Sequence, residues 1–280
     1  MAMKALASDT PRAKQRVRPG AIAVRSDVAF DAPWEWLGAG WRDLWAIPAV
    51  SLGYGATFAL AALAMVMALM RFGGLSLVLV LAGGFLLVGP MLAAGLYELS
   101  RRLEAGEAVD ARDAILVGMR SPGQLAIMGL VLMLAYLVWI EIALLLLMLF
   151  LGGGGLPPVE AFVPTLLFTS QGLGLLVCGT IAGGLLAAAV FAISALSIPL
   201  LMTHDVDVVT AVTASVRAVL ANPKPMALWA ALIAAMIGCG IATLLAGFVI
   251  AFPLIGHTTW HAFRDVIKVM PEPEAVPNAI

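Results

Sequence analysis

The chain has 280 residues, of which 62% are hydrophobic and only 12% are charged, and its mean hydropathy is +1.03. A soluble domain carries about a quarter of its residues as Asp, Glu, Lys and Arg, so this composition excludes an ordinary water-soluble protein. The formal net charge of -1 excludes wholesale nucleic-acid binding, which needs a large basic excess to displace phosphate counterions.

Residues 1–31 are basic and contain no apolar stretch long enough for the core of a cleaved signal peptide. We expect them to form a retained, disordered cytoplasmic tail, and residues 269–280 to form a disordered C-terminal tail.

Four apolar stretches are long enough to cross a hydrocarbon core as helices. A fifth apolar run is too long for one crossing, since at 1.5 Å per residue it would reach roughly 55 Å. We therefore expect two crossings with a break at Gly238-Cys239-Gly240, because glycines favour a turn. The four stretches are Ala49 to Met70, Leu75 to Leu99, Leu125 to Leu151 and Gly172 to Met202, and the fifth run is Met226 to about Phe263.

The placement of Lys and Arg favours six crossings with both termini in the cytoplasm, because cytoplasmic loops are enriched in these residues. In that topology Arg71 alone among the 16 Lys and Arg residues faces outward. Tryptophan is favoured at membrane interfaces, and six of the seven tryptophans fall at the predicted inner one. These are Trp34, Trp36, Trp41, Trp45, Trp229 and Trp260.

A pattern occurs three times along the chain: a short amphipathic segment ending in proline, then a span, then a second span with a proline near its inner end. The predicted fold is an all-α polytopic bundle of six transmembrane helices, arranged as three hairpins that each follow an amphipathic interfacial helix. In the third such helix, valines 208, 212, 216 and 219 share one face, and Asp205 or Asp207 can cap it. The predicted transmembrane domain comprises residues 32–268, and its three units are 32–102, 110–205 and 206–268. The amphipathic segments are Gly40 to Pro48, Ala114 to Pro122 and Ser215 to Pro223.

Three motifs resemble an uncharacterised bacterial family of integral membrane proteins of unknown function (DUF2189-like). They are Gly89-Pro90 with Gly95 to Arg102, Ser215 to Pro223, and Pro253 to His261. The resemblance covers roughly residues 33 to 268 and implies no activity. Some members carry an automatic label as cytochrome c oxidase subunit I. Since that enzyme needs a set of intramembrane histidines for two haems and copper, and this chain has three, we reject the catalytic implication.

Glu141 is the one ionisable residue deep within a predicted span. A buried carboxylate is costly unless it is protonated or paired, so Glu141 is a candidate functional group. Two interpretations remain open. Glu141 either forms a hydrogen bond that joins two helices, for example to Arg71 or a hydroxyl, or lies on a proton or cation path.

His257 and His261 lie four residues apart on one helix face, a spacing that can bind a metal or haem. His204 and Asp205 follow Pro199 as these histidines follow Pro253, so the repeat can bring the groups together near Glu98. The alternative is a set of interfacial histidines bonded to carboxylates or lipid headgroups.

We expect a non-enzymatic scaffold, assembly factor or accessory subunit of a membrane complex, with no catalytic residues, no cofactor and no firm metal site. Its expected partners are membrane lipids and other membrane protein subunits, and its expected location is the bacterial inner membrane. The first alternative is a small transporter or channel using Glu141. The second is a haem- or metal-binding protein using His204, His257 and His261.

Overall fold

The computed structural model describes residues 19–72, 77–110, 112–113, 122–152, 157 and 159–271. These residues are mainly helical, which confirms an all-α protein of membrane type; the one sheet in this part of the chain has two short strands, β1 (Pro19–Val24) and β2 (Ile267–Pro271). The helices are α1 (Ala32–Ala46), α2 (Pro48–Arg71), α3 (Val78–Leu92), α4 (Ala94–Glu104), α5 (Pro122–Leu151), α6 (Val159–Phe168), α7 (Ser170–Ser194), α8 (Ser197–Thr203), α9 (Val208–Ala221), α10 (Pro223–Ala242) and α11 (Phe248–Val266).

Within the described residues, four helical segments are long and apolar enough to cross a membrane. They are α2, α5, the continuous stretch of α7 and α8, and α10. The predicted span Leu75 to Leu99 corresponds to α3 and α4, which meet at Ala93, three residues after Pro90. Proline removes a backbone donor inside a helix, which accounts for an interruption at this place.

The last apolar run does divide, but the predicted break at Gly238-Cys239-Gly240 is wrong. Helix α10 continues through these residues, and the turn spans residues 243–247. Leu244 and Leu245 adopt φ values of 52° and 72° there. A Cβ on Gly240 would lie 2.9 Å from the Phe248 ring. Gly240 therefore permits close approach of the returning helix rather than breaking its own.

The predicted disordered tails are wrong where the structure describes them. Strands β1 and β2 pair antiparallel, with Val24 opposite Ile267. The backbone N–H of Arg25 donates to Val266 at 2.9 Å, and its guanidinium contacts Asp265 at 2.5 Å. Because β1 satisfies the backbone groups of β2 and packs Ile22 on the core, the two ends of the domain are ordered together. Residues 1–18 and 272–280 lie outside the described part.

Helix α11 packs against α1, α2 and α4. Two glycines permit the closest of these contacts. A Cβ on Gly40 of α1 would lie 2.7 Å from the backbone nitrogen of Thr258, and one on Gly55 of α2 would lie 2.9 Å from the carbonyl carbon of Val249. The first two helices of the described chain are thereby joined to the last one.

Helix α9 begins at Asp207, whose carboxylate accepts from the backbone N–H of Thr210 at 2.9 Å, so the capping prediction is confirmed for Asp207. The predicted valine face is only partly correct, because Val208 is buried but the other three valines are half-buried. The fully buried stripe consists of small residues that allow closer packing. Its members are Ala211, Ala214, Ser215 and Ala218.

The six tryptophans predicted to lie at the depth of the inner interface divide into two groups, three exposed and three buried inside the protein. Trp34, Trp41 and Trp45 are exposed on one face of α1. The other three are buried. The indole N–H of Trp36 donates to Asp265 at 3.0 Å, and the indole N–H of Trp260 donates to Glu104 at 2.9 Å. These buried rings are Trp36, Trp229 and Trp260.

The contact between α2 and α11 gives a direct test. We expect Gly55→Ala to lower the free energy of unfolding by about 1–3 kcal/mol, because the new methyl group meets backbone atoms that cannot rotate away. The control is Gly53→Ala two residues earlier, where a Cβ meets nothing within 4 Å. That change should stabilise the helix by roughly 0.5–1 kcal/mol. Thermal unfolding of the protein in mild detergent measures both, and equal midpoints would contradict the packing described.

Candidate functional site

A continuous hydrogen-bonded chain joins five side chains from four helices. The Oγ of Ser51 lies 2.9 Å from Nε2 of His257, and the Oγ of Ser100 lies 2.7 Å from Nδ1 of the same ring. Ser100 also donates to Oδ2 of Asp43 at 2.7 Å, and that oxygen lies 2.8 Å from Nε2 of His261. We call this set the Asp43 network.

The local sequence explains how these groups meet. Asp43 is on α1, Ser51 is in the first turn of α2 just after Pro48, and Ser100 is on α4. The two histidines lie on one face of α11 because they are four residues apart. Since α11 packs against the other three helices, its histidine face meets all three polar residues.

The donors in the network can be assigned from its geometry. The Ser100 hydrogen is directed to Asp43, so its oxygen accepts the Nδ1–H of His257. In a neutral imidazole the other nitrogen is then the acceptor, and it receives the hydroxyl hydrogen of Ser51. His261 donates its Nε2–H to Asp43, so hydrogen bonds from both sides converge on this carboxylate.

The network links four helices, and three of its five side chains are removed from water. Ser51, Ser100 and His257 are fully buried, whereas Asp43 and His261 are partly exposed at 17% and 23%. A serine beside a histidine can act as a nucleophile and its base, but a fully buried Ser51 fits a structural link better.

Sequence reasoning identified the two histidines but missed Asp43, Ser51 and Ser100. Two of these lie within segments already singled out, Asp43 in Gly40 to Pro48 and Ser100 in Gly95 to Arg102. A polar residue inside one of these segments was therefore the signal that could have identified Asp43 and Ser100. Ser51 carried no such signal, because a single serine in an apolar helix usually bonds only to its own backbone.

The structure does not bring the three histidines together. His261 lines one cleft, of about 590 Å³, and His204 lines another, of about 420 Å³, with Glu104 and Arg264 in the walls of both. The Nδ1 of His204 lies 2.8 Å from the hydroxyl of Thr203. Burial, and to a lesser extent Arg264, lowers the pKa of His204. Among the described residues, no three His, Cys, Asp or Glu side chains form a group that could hold a metal ion.

Glu98 is buried and forms ion pairs at 2.8 Å with Arg101 and at 2.9 Å with Arg102. Glu98, followed by Glu107, raises the pKa of the Arg101 guanidinium. These pairs fix the end of α4 next to the network. Asp205 is exposed on the segment between α8 and α9.

Of the two interpretations of Glu141, a hydrogen bond that joins two helices is not found among the described residues. It is exposed, on the outward face of α5, and bonds to none of the described residues. Large apolar residues with the same helical spacing surround it on this exposed face. They are Ile127, Leu130, Leu134, Leu137, Leu145 and Met148.

The contribution of the Asp43 network to the free energy of unfolding can be measured with Ser100→Ala. Removing this hydroxyl leaves the Nδ1–H of His257 without an acceptor, and we expect a loss of about 1–3 kcal/mol in unfolding free energy. Ser194→Ala is the matched control, because Ser194 is equally buried but donates only to Val190 in its own helix. Equal thermal unfolding midpoints for the two variants in detergent would refute the linking role.

Comparison with known proteins assigns part of the chain. Residues 77–203 match the family model described as "Predicted integral membrane protein (DUF2189)". The matched range includes the motif Gly95 to Arg102, whereas the motifs at 215–223 and 253–261 lie outside it. No curated protein and no solved structure matches the chain. The resemblance seen in the motifs is therefore confirmed over residues 77–203, which match the model of this family of predicted integral membrane proteins.

Proposed function

We propose that the chain crosses the bacterial inner membrane six times, with both termini in the cytoplasm. Four crossings correspond to the long apolar segments described above. Helix α11 supplies another, since its 19 residues extend about 28 Å, close to the ~30 Å hydrocarbon core. Helices α3 and α4 together supply the remaining one. In this arrangement the exposed tryptophans of α1 lie at the inner interface, where such rings are favoured.

Packing between helices supports the threefold repeat. Gly40 of α1 contacts α11, the second span of the third unit. Ser215 of α9 donates to Ala192 at 2.8 Å and accepts from the backbone N–H of Leu196 at 3.2 Å, at the junction of α7 and α8 in the second unit. Gly40 and Ser215 both lie eight residues before the proline that begins the next helix. These two amphipathic helices thus each pack on the preceding unit. The middle segment, Ala114 to Ser121, lies outside the described residues.

The function that this geometry supports best is a non-enzymatic subunit of a membrane complex. Helix α5 would bind another membrane protein through its exposed face. The observation that carries this proposal is the exposed position of Glu141 within an apolar stripe.

The argument rests on the cost of a carboxylate in lipid. Glu141 lies about 28 Å along α5 from Pro122 and about 15 Å from Leu151, so it falls within the hydrocarbon region of a spanning helix. An ionised side chain at such a depth costs about 2.5–3.5 kcal/mol or more when nothing pairs with it. A donor from a neighbouring polypeptide would remove this cost.

The chemistry of the face indicates what the partner presents. Two copies of this chain meeting at α5 would bring two Glu141 carboxylates together, which is unfavourable when both are charged. We therefore propose a different membrane protein, with a Lys, Arg or hydroxyl side chain at the depth of Glu141. The outward orientation also disfavours the alternative of a transport path through this single chain.

The proposal predicts that a partner of defined mass copurifies with the full chain from native membranes in mild detergent. Glu141→Lys should reduce its recovery at least tenfold, because it opposes the partner's donor, and Glu141→Gln should reduce it less. Glu160→Gln changes an exposed glutamate of α6 and should leave recovery unchanged. Quantitative mass spectrometry measures the ratio of partner to chain.

A cross-linker separates a helix contact from general lipid exposure. A photoreactive residue at Leu145, which is 68% exposed one turn from Glu141, should give one discrete protein adduct. The same residue at Leu60 of α2, which is 64% exposed, should give only lipid adducts. An adduct of twice the chain's mass would instead indicate self-association, and identical lipid patterns at both positions would refute the proposed face.

A further inference from the structure

A polar cleft of about 590 Å³ lies between α1 and the end of α11, and Lys268 of β2 forms part of its wall. Its volume falls within the roughly 300–1,000 Å³ that is typical of small-molecule sites. Helix α1 contributes Glu35, Ala39 and Arg42 to the wall. The cleft is therefore large enough to hold the polar part of a ligand.

Two of the cations in the wall are neutralised by carboxylates of the same wall. The guanidinium of Arg25 forms an ion pair with Asp265 at 2.5 Å, and the guanidinium of Arg264 forms one with Glu104 at 3.1 Å. Because each of these cations already has a carboxylate, the two pairs leave no charge for a ligand to neutralise.

Arg42 and Lys268 line the same cleft without a carboxylate. Both are exposed, and neither forms an ion pair with a described residue. The Nζ of Lys268 donates one hydrogen to the backbone carbonyl of Arg264 at 2.6 Å, so further donors of this ammonium remain available. Glu35 is a lining carboxylate that also has no ion pair among the described residues. With His261 neutral, the lining side chains thus carry one net positive charge.

The position of Arg42 on α1 connects the cleft with the proposed membrane surface. The exposed rings of Trp34, Trp41 and Trp45 lie on one face of this helix. Arg42 follows Trp41 directly, so it lies about 100° further around the helix, between the rings and the cleft. In the proposed arrangement the rings lie at the inner interface, where lipid phosphates are found. One lipid molecule can therefore place its chains beside the rings and its phosphate at Arg42.

We propose that the cleft binds the headgroup of an anionic phospholipid of the inner leaflet, with the phosphate held by Arg42 and Lys268. Guanidinium and ammonium groups both bind phosphate, and a guanidinium can do so through two parallel hydrogen bonds. The acyl chains lie along the tryptophan face of α1. The inference rests on the proposed placement of α1 at the inner interface, but it is independent of the proposed partner at Glu141.

The charge of the cleft indicates which lipid it prefers. A phosphodiester carries a single negative charge, which matches the net charge of the lining side chains. Phosphatidylglycerol has no other charged group. Phosphatidylethanolamine adds an ammonium group, which leaves the positive charge of the cleft uncompensated. We therefore expect phosphatidylglycerol to bind more tightly.

The repeat supplies a matched control for Arg42. Arg42 of α1 and Arg217 of α9 each lie six residues before a proline. Arg217 is also exposed and forms no ion pair with the described residues, but it does not line the cleft. Arg42→Gln and Arg217→Gln thus remove the same charge from equivalent places in the repeat, and only the first change alters the cleft.

The experiment is native mass spectrometry of the full chain in mild detergent with equal amounts of dioleoyl phosphatidylglycerol and dioleoyl phosphatidylethanolamine. We expect the unsubstituted protein and Arg217→Gln to retain one phosphatidylglycerol per chain. Arg42→Gln and Lys268→Gln should each weaken retention about tenfold, the effect of one charge-assisted hydrogen bond. Glu141→Lys should leave lipid retention unchanged, so loss of the proposed partner and loss of the lipid are separate outcomes. Thermal unfolding in the same detergent verifies that each variant is folded.

A soluble competitor distinguishes a lipid from a free phosphate compound. Glycerophosphoglycerol, the headgroup without its acyl chains, has the same phosphodiester but cannot contact the tryptophan face, so it should displace the lipid only at large excess. Displacement at equal concentration would identify a water-soluble ligand and overturn the proposal. The proposal would also be overturned by equal retention of the two lipids, by equal losses in Arg42→Gln and Arg217→Gln, or by the absence of retained lipid in the unsubstituted protein.

The placement of α1 is tested separately by labelling. Asp31 is exposed, directly precedes α1 and makes no side-chain capping bond. With the two native cysteines replaced by serine, Asp31→Cys should react with a membrane-impermeant maleimide in inverted vesicles but not in spheroplasts. Reaction in spheroplasts would place α1 on the outer side and overturn the inner-leaflet assignment.

Discussion

The contact between helix α11 and the first two helices is the constraint on which the rest of the structure depends. It joins the two ends of the described chain, and it does so at backbone distance because Gly40 and Gly55 lack side chains. Once the helices are this close, the side chains of Ser51, Ser100 and His257 between them have no access to water. The Asp43 network follows from this requirement: Ser51, Ser100 and His257 are buried together, and each satisfies another's hydrogen-bonding groups.

Hydropathy was sufficient to identify the apolar helices, because a run of about 20 apolar residues has one stable conformation in lipid. It could not place the final turn. Gly238-Cys239-Gly240 looked like a break, yet the glycine at 240 serves the close approach of Phe248, and the chain reverses at Leu244 and Leu245 instead. Local propensity does not distinguish a glycine that permits a turn from one that permits contact, since only the tertiary arrangement decides this.

The candidate sites show the same difference between what a local pattern predicts and what only the tertiary arrangement decides. The spacing of His257 and His261 predicted a shared face correctly, because helical periodicity is a local property. Their partners, Asp43 and Ser100, come from distant segments, and no local pattern predicted that they would meet. The depth of Glu141 was also readable from the sequence, but its direction was not. The nearly uniform apolarity of α5 hides which side faces the protein, so an inward carboxylate and an outward one looked alike.

An apolar cavity lined by Gly89, Ala195 and Trp229 is explained by the proposed threefold arrangement. In such a ring the second span of each unit packs on the first span of the next, as α3 does on α5 and α11 does on α2. The corresponding pair, α7 and α10, has at most marginal contact among the described residues. Ala195, at the junction of α7 and α8, and Trp229 of α10 line the same apolar cavity at this incomplete seam. Departure from the proposed symmetry at one seam thus accounts for the presence of a cavity at this place in the bundle.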